Sequence, residues 1–190
     1  MSGTAFVVLA AGAARRFGGG KLDAALANVP LGLHACGAVE SAGAKRRAIV
    51  VPPTPPGFLA SLEGWTTIVN PDADRGIGTS IRAAIAALCD ASRIVITLAD
   101  MPFVPPGLLR ELAQGDNAVF TRHADCKPGV PAAFPRRMFD RLLSLPDDKG
   151  AAWLAHEIEY DLLERPRSNA LLDIDTAEDL GLAAAALSER

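Results

Sequence analysis

The most constraining feature of this chain is a rhythm of short, continuous aliphatic runs separated by longer amphipathic stretches. Residues 6–9, 48–51 and 94–98 are β-branched or aliphatic without alternation, the pattern of strands covered on both faces in a parallel sheet. Between them lie helical stripes. Ile81, Ala84, Ile85 and Leu88 recur at i, i+3, i+4 and i+7, one face of a helix. Leu108, Leu109 and Leu112 form a shorter stripe opened by Pro105 and Pro106, and Met138, Leu142 and Leu145 form a third; proline suits a first helical turn because its missing N–H has no intrahelical partner there. Weaker strands are expected at 67–69, 118–120 and 132–134, with loops where Pro and Gly cluster at 52–57 and 127–131. Alternation of this kind predicts a three-layer α/β fold with a mostly parallel sheet and right-handed crossovers. The 190 residues fit one domain spanning 1–190.

Charge and cysteine usage narrow the function classes. A formal net charge of -3 provides no basic field for a nucleic-acid backbone, so no nucleic-acid partner is expected. Cys36, Cys89 and Cys126 lie far apart, which argues against a disulfide framework or structural zinc and suits a reducing cytoplasm; they read as small buried hydrophobes. The apolar run at 5–12 is too short for a bilayer and lacks a preceding basic region, so neither a membrane span nor a targeting segment is expected.

Ligands of open parallel sheets sit beyond the carboxyl ends of the strands, and two unusual segments fall at such ends. After the first strand comes Leu9-Ala10-Ala11-Gly12, then Arg15, Arg16, Gly18, Gly19, Gly20 and Lys21. Backbone N–H groups of such a loop can cradle phosphates while Arg16 and Lys21 supply positive charge; a glycine-rich surface turn with solvated arginines is the alternative. Two common phosphate signatures fail. A P-loop requires Gly where Arg15 stands and Ser or Thr where Leu22 stands, and the dinucleotide fingerprint is broken by Asp23. After the strand at 94–98 comes Asp100-Met101-Pro102. A carboxylate there points into the ligand crevice and suits Mg²⁺, which takes few carboxylates plus phosphate oxygens and water; capping of the turn is the simpler alternative. Late in the chain, Thr176 and Asp179 have capping-box spacing, which leaves Asp173 and Asp175 as carboxylates able to complete a metal site. His34, His123 and His156 share no ligand-like spacing, and Trp65 and Trp153 read as packing residues.

Taken in order, these segments resemble the molybdenum-cofactor nucleotidyltransferase family within the Rossmann-like nucleotidyltransferase fold. The family opening LAAGxSxRxGxxK is matched by Leu9, Ala10, Ala11, Gly12, Arg16, Gly18 and Lys21; Asn70-Pro71 and Gly76-Ile77-Gly78-Thr79-Ser80-Ile81 resemble its middle motif; Asp100-Met101-Pro102, then Gly129, Pro131 and Phe134, then Asp173 to Thr176 follow. The resemblance implies that Leu9 to Gly12, Arg16 and Lys21 hold the triphosphate and that Gly78, Thr79 and Ser80 lie near base and ribose. It further implies that Asp100 binds Mg²⁺ with Asp173 or Asp175, while Gly129, Pro131 and the stretch at 147–152 face the acceptor. Arg16, Lys21 and Asp100 become the expected catalytic residues. The Leu-Ala-Ala-Gly form is more similar to the cytidylyltransferase branch, whose reaction joins CMP from CTP to molybdenum cofactor and whose product passes to a molybdoenzyme or its chaperone. Asn28, Val130 and Ala152 depart from the family pattern, two of them on the acceptor side. Another phosphorylated acceptor, such as a sugar phosphate or phospholactate, GTP in place of CTP, and a non-catalytic nucleotide-binding role are the alternative readings.

Overall fold

The computed structural model describes residues 3–12, 17–164 and 169–188. In chain order the elements are β1 (Thr4–Leu9), β2 (Ala25–Leu26), β3 (Val29–Pro30), α1 (Leu31–Ser41), β4 (Arg46–Val51), β5 (Thr66–Val69), α2 (Ile77–Ala87), β6 (Arg93–Leu98), α3 (Pro106–Leu112), β7 (Val119–Arg122), β8 (Pro128–Pro135), α4 (Phe139–Leu143), β9 (Asp161–Leu163) and α5 (Ala177–Ser188). Seven strands form one sheet in the order β5-β4-β1-β6-β8-β7-β9, and β2 pairs with β3 in a small separate hairpin. β5, β4, β1 and β6 are mutually parallel; β8 is antiparallel to both its neighbours.

The continuous apolar runs are explained by what covers them. Phe6 and Val8 point to one face, packed with Ala35 and Val39 of α1 and Leu108, Leu109 and Leu112 of α3. Ala5, Val7 and Leu9 point to the other, with Ile81, Ala84 and Ile85 of α2 and Phe139 and Leu142 of α4. Both faces of β1 are therefore dry, so no polar alternation survives. A third, smaller cluster joins Leu26, Leu31, Ile174 and Ala183, tying α5 to the β2–β3 hairpin.

Two expectations are corrected. The stretch at 127–131, read as a loop, mostly belongs to β8. Only residues 132–135 pair with β6; Pro128 pairs with β7 alone, and Pro131 lies within a register irregularity, so proline's missing N–H breaks no ladder bond toward β6. Of the cysteines only Cys36 is buried, its thiol pushed up to about 12 by desolvation and then by Glu40. Cys89 and Cys126 are exposed, because they fall where the chain turns rather than within an element facing the core. Trp65 does pack, its indole N–H donating to Glu40 at 2.8 Å beneath the Arg47 guanidinium. Among the described residues, no helix is long and apolar enough to cross a membrane.

Candidate active site

The parallel pairing of β1 with β6 aligns Leu9 with Leu98, and the Ala99 amide donates to the Leu9 carbonyl at 3.0 Å. Two loops distant in sequence thus leave the sheet together. From one, the left-handed Gly20 (φ 64°) leads into a single 3₁₀ turn at Lys21–Asp23, a backbone conformation glycine adopts at little cost. That turn returns Lys21 over the strand ends, where its ammonium is nearly buried and stands 2.6 Å from Asp100 Oδ2 and 3.5 Å from Asp175 Oδ1. A buried ammonium is tolerable only when paired in this way. The turn is tied down on its far side by Asp23, whose carboxylate accepts from the Gly57 and Phe58 amides at 2.9 and 2.7 Å.

The late acidic segment arrives through its backbone. The Ile174 amide donates to the Asp100 carbonyl at 3.0 Å, and Ile174 itself is buried, so Asp173 and Asp175 flank the Asp100 turn. The capping box forms as expected: Asp179 N–H donates to Thr176 Oγ1 at 3.1 Å and Thr176 N–H to Asp179 Oδ2 at 2.8 Å. Although Asp173 as a residue retains open surface, desolvation of its carboxyl, followed by the negative charge of Asp100, raises its pKa to about 6. Asp100 Oδ1 is buried without a hydrogen-bond partner. A carboxylate oxygen left unsatisfied in this way, beside a second carboxyl pushed toward protonation by desolvation and then by the Asp100 charge, fits a divalent cation, since added positive charge favours both ionised carboxylates. The fit is to one or two carboxylates with the remaining ligands from substrate, because among the described residues no three His, Cys, Asp or Glu side chains stand ready to coordinate a metal.

These groups border a cleft of two adjoining cavities. The smaller, about 410 Å³, is lined by Leu9 to Gly12, Lys21, Ser80 and Asp100, together with Arg75, Gly76 and Asp148. The larger, about 610 Å³, shares Ala10 to Gly12 and Lys21 and extends along the prolines at 52–56. Of the predicted nucleotide residues, Leu9, Ala10, Ala11, Gly12, Lys21 and Ser80 converge here. Arg16 lies outside the described residues. Thr79 is buried and turned inward, accepting from Asn70 Nδ2 at 2.8 Å and lying 2.7 Å from the Gly76 carbonyl; Gly78 is packed under the 146–149 backbone. Gly129 and Pro131 line neither cavity. Gly129 instead seats the His123 ring, which leaves no room for a Cβ (2.4 Å to Nε2), while the Pro131 carbonyl accepts from Thr121 Oγ1 at 2.6 Å. His123 Nε2 donates to the Val130 carbonyl at 2.7 Å, since a carbonyl only accepts, and the imidazole acts electrostatically on Asp173. Sequence reading missed Arg75, an exposed charge with no periodicity beside a motif, and expected Asp148 only as part of the acceptor-side stretch at 147–152, whereas it lines the same cavity as Lys21 and Asp100.

The MobA-like NTP transferase domain family matches residues 6–162. The chain belongs to this family. Membership makes the chain a nucleotidyltransferase with a nucleoside triphosphate substrate, on a mostly parallel, Rossmann-like sheet. Rv0371c from Mycobacterium tuberculosis H37Rv is 27% identical over 97% of this chain and 98% of its own, with a TM-score of 0.83; a second structure of Rv0371c is a complex with manganese. A nucleotidyl transferase from Methanothermobacter, Mth528, has a TM-score of 0.81 at 20% identity over 100% of both chains. The 4-diphosphocytidyl-2C-methyl-D-erythritol synthase of Anaerococcus prevotii has a TM-score of 0.75 at 14% identity, covering 98% and 99%; for these two the likeness is of fold. No curated protein sequence matches the chain.

Proposed function

We propose that this MobA-like transferase moves a nucleoside monophosphate, CMP in preference to GMP, from a divalent-metal-bound triphosphate to a phosphorylated acceptor, with molybdenum cofactor the favoured acceptor. The observation that carries the reading is the Lys21–Asp100 pair, 2.6 Å apart, in a cleft floored by the small-residue turn at 10–12. The Leu-Ala-Ala-Gly form of that turn supports the cytidylyltransferase branch.

In the proposed reaction an acceptor phosphate oxygen forms a bond to the α-phosphorus. The bond to the bridging oxygen breaks, and pyrophosphate leaves with that electron pair. A phosphate monoester is already largely dianionic near neutral pH, so the chain need not supply a base. Its work is positioning and charge stabilisation. Ala10 to Gly12 let substrate approach the backbone closely, Lys21 sets a point charge on the departing phosphates, and Ser80 borders the nucleoside. Asp100, with Asp173 or Asp175, would hold the divalent cation, Mg²⁺ by preference, whose chemistry is to neutralise charge on phosphate oxygens.

A thermal-shift panel of CTP, GTP, ATP and UTP with Mg²⁺ or Mn²⁺ tests nucleotide choice, because a ligand of the native state raises the melting temperature according to its concentration relative to Kd. Pyrophosphate release with molybdenum cofactor, a sugar phosphate or phospholactate then tests the acceptor. Largest stabilisation by CTP and release with molybdenum cofactor are expected. Tight nucleotide binding without release from any acceptor would leave a binding protein in place of an enzyme.

A further inference from the structure

The cavity that holds Lys21 and Asp100 is lined on another side by Arg75, a residue outside the sequence motifs and built into a chain of contacts. Its Nη2 lies 2.5 Å from Asp147 Oδ2 and its Nη1 3.5 Å from Asp72 Oδ1. The other carboxylate oxygen of Asp147 receives Arg82, which also donates to the Leu145 carbonyl. The backbone beneath is equally constrained. Gly78 N–H donates to the Asp147 carbonyl at 2.8 Å, and a Cβ on Gly76 would stand 2.4 Å from that same oxygen.

Stability does not account for this arrangement. Exposed ion pairs contribute little, and the Arg75 side chain is 57% exposed. What the contacts do fix is direction: a guanidinium carries five N–H donors in a rigid fork, and Asp147 and Asp72 engage part of that fork in a residue that lines the cavity. Among the described residues, Lys21 and Arg75 are the cationic side chains lining this cavity.

We propose that Arg75 is a second cationic contact to the phosphates of the bound nucleotide, and that Asp147 is the positioning residue that aims it. The inference rests on the nucleotide reading above and adds a residue to it. Arg82, bonded to the Leu145 carbonyl and to Asp147, then supports the Asp147 carboxylate.

The test is calorimetric titration of the full chain with Mg²⁺ and whichever of CTP, GTP, ATP or UTP binds most tightly, compared with the parent nucleoside. Arg75→Ala should weaken triphosphate binding about tenfold or more, the scale of a lost charge-assisted hydrogen bond, and leave nucleoside binding unchanged. Arg75→Lys should retain part of the affinity, which keeps the test open if the alanine variant folds poorly. Asp147→Asn should weaken triphosphate binding less than Arg75→Ala does, and should add nothing in the Arg75→Ala background. Equal triphosphate affinity of wild type and Arg75→Ala, or equal losses for nucleoside and triphosphate, would overturn the assignment. Wild type that binds none of the four triphosphates would instead remove the nucleotide reading itself, and the inference with it.

Discussion

Lys21 and Asp100, 79 positions apart in sequence, meet through a 2.6 Å ion pair across the carboxyl ends of two neighbouring parallel strands. The ammonium is almost fully enclosed while the carboxylate keeps a second oxygen buried and without a hydrogen-bond partner. The ammonium is thus paired, while the carboxylate it pairs with keeps one oxygen without a hydrogen-bond partner.

In the proposed reaction, replacing Lys21 by Ala removes a preorganised charge from the departing phosphates. The expected loss is about 2–4 kcal/mol of transition-state stabilisation, roughly 30- to 1000-fold in kcat/KM. Pyrophosphate release measured under saturating cation checks it; a change within about threefold, under 1 kcal/mol, would exclude the role.

Asp100→Asn keeps the side chain's shape, would weaken the proposed metal ligation, and leaves the enclosed Lys21 with its more distant charged partner, Asp175. Turnover should fall below detection. Stability should drop by about 1–3 kcal/mol, as when one partner of a partly buried charged hydrogen bond is lost. Circular dichroism separates the two effects: a native spectrum with normal turnover would remove Asp100 from the chemistry.

Asp173 titrates at about 6 in the folded chain, against an ordinary 3.8, through desolvation and then the Asp100 charge. Between those values the folded chain holds a proton that the unfolded chain has released. Stability therefore falls as pH rises through this window and levels off above it. Asp173→Asn should flatten that slope and be more stable than wild type at pH 7, measured without divalent cation by urea unfolding at either end of the window. A slope unchanged by the substitution would assign it to another group.

Gly78→Ala introduces a Cβ 2.0 Å from the Pro146 carbonyl oxygen and 3.0 Å from the carbonyls of Asp147 and Lys149. All three neighbours are backbone, so relief requires displacing the 146–149 segment. An overpacking cost of about 1–3 kcal/mol is expected, with weakened triphosphate binding because Arg75 moves with Asp147. Denaturant midpoints and the same titrations measure both; wild-type values would show that the segment yields freely.

Much of the fold was legible because burial on both faces writes itself locally. The runs at 6–9, 48–51 and 94–98 have no polar alternation for the same reason that β1 lies between helical layers, and the 81–88 stripe is periodic because α2 covers one of those faces. Motif order likewise announced the turn at 10–12, Lys21 and Asp100, and the capping box between Thr176 and Asp179 is a contact between near neighbours. The strand through Pro128 and Pro131 was hidden, since proline marks loops wherever a ladder bond is needed, and only the sheet shows that none is needed there. Sequence could not foresee that Lys21 lies against Asp100, that Ile174 pins the acidic segment beside it, or that Arg75 pairs with Asp147. Those relations depend on strand order and loop closure, and a charge on an exposed loop looks the same in sequence whether it faces solvent or substrate. Local patterning thus determined which elements form and which loops leave the carboxyl ends of the strands. The tertiary structure decided which charges share a cleft, because electrostatic pairing acts through distance in space, which the separation along the chain does not encode.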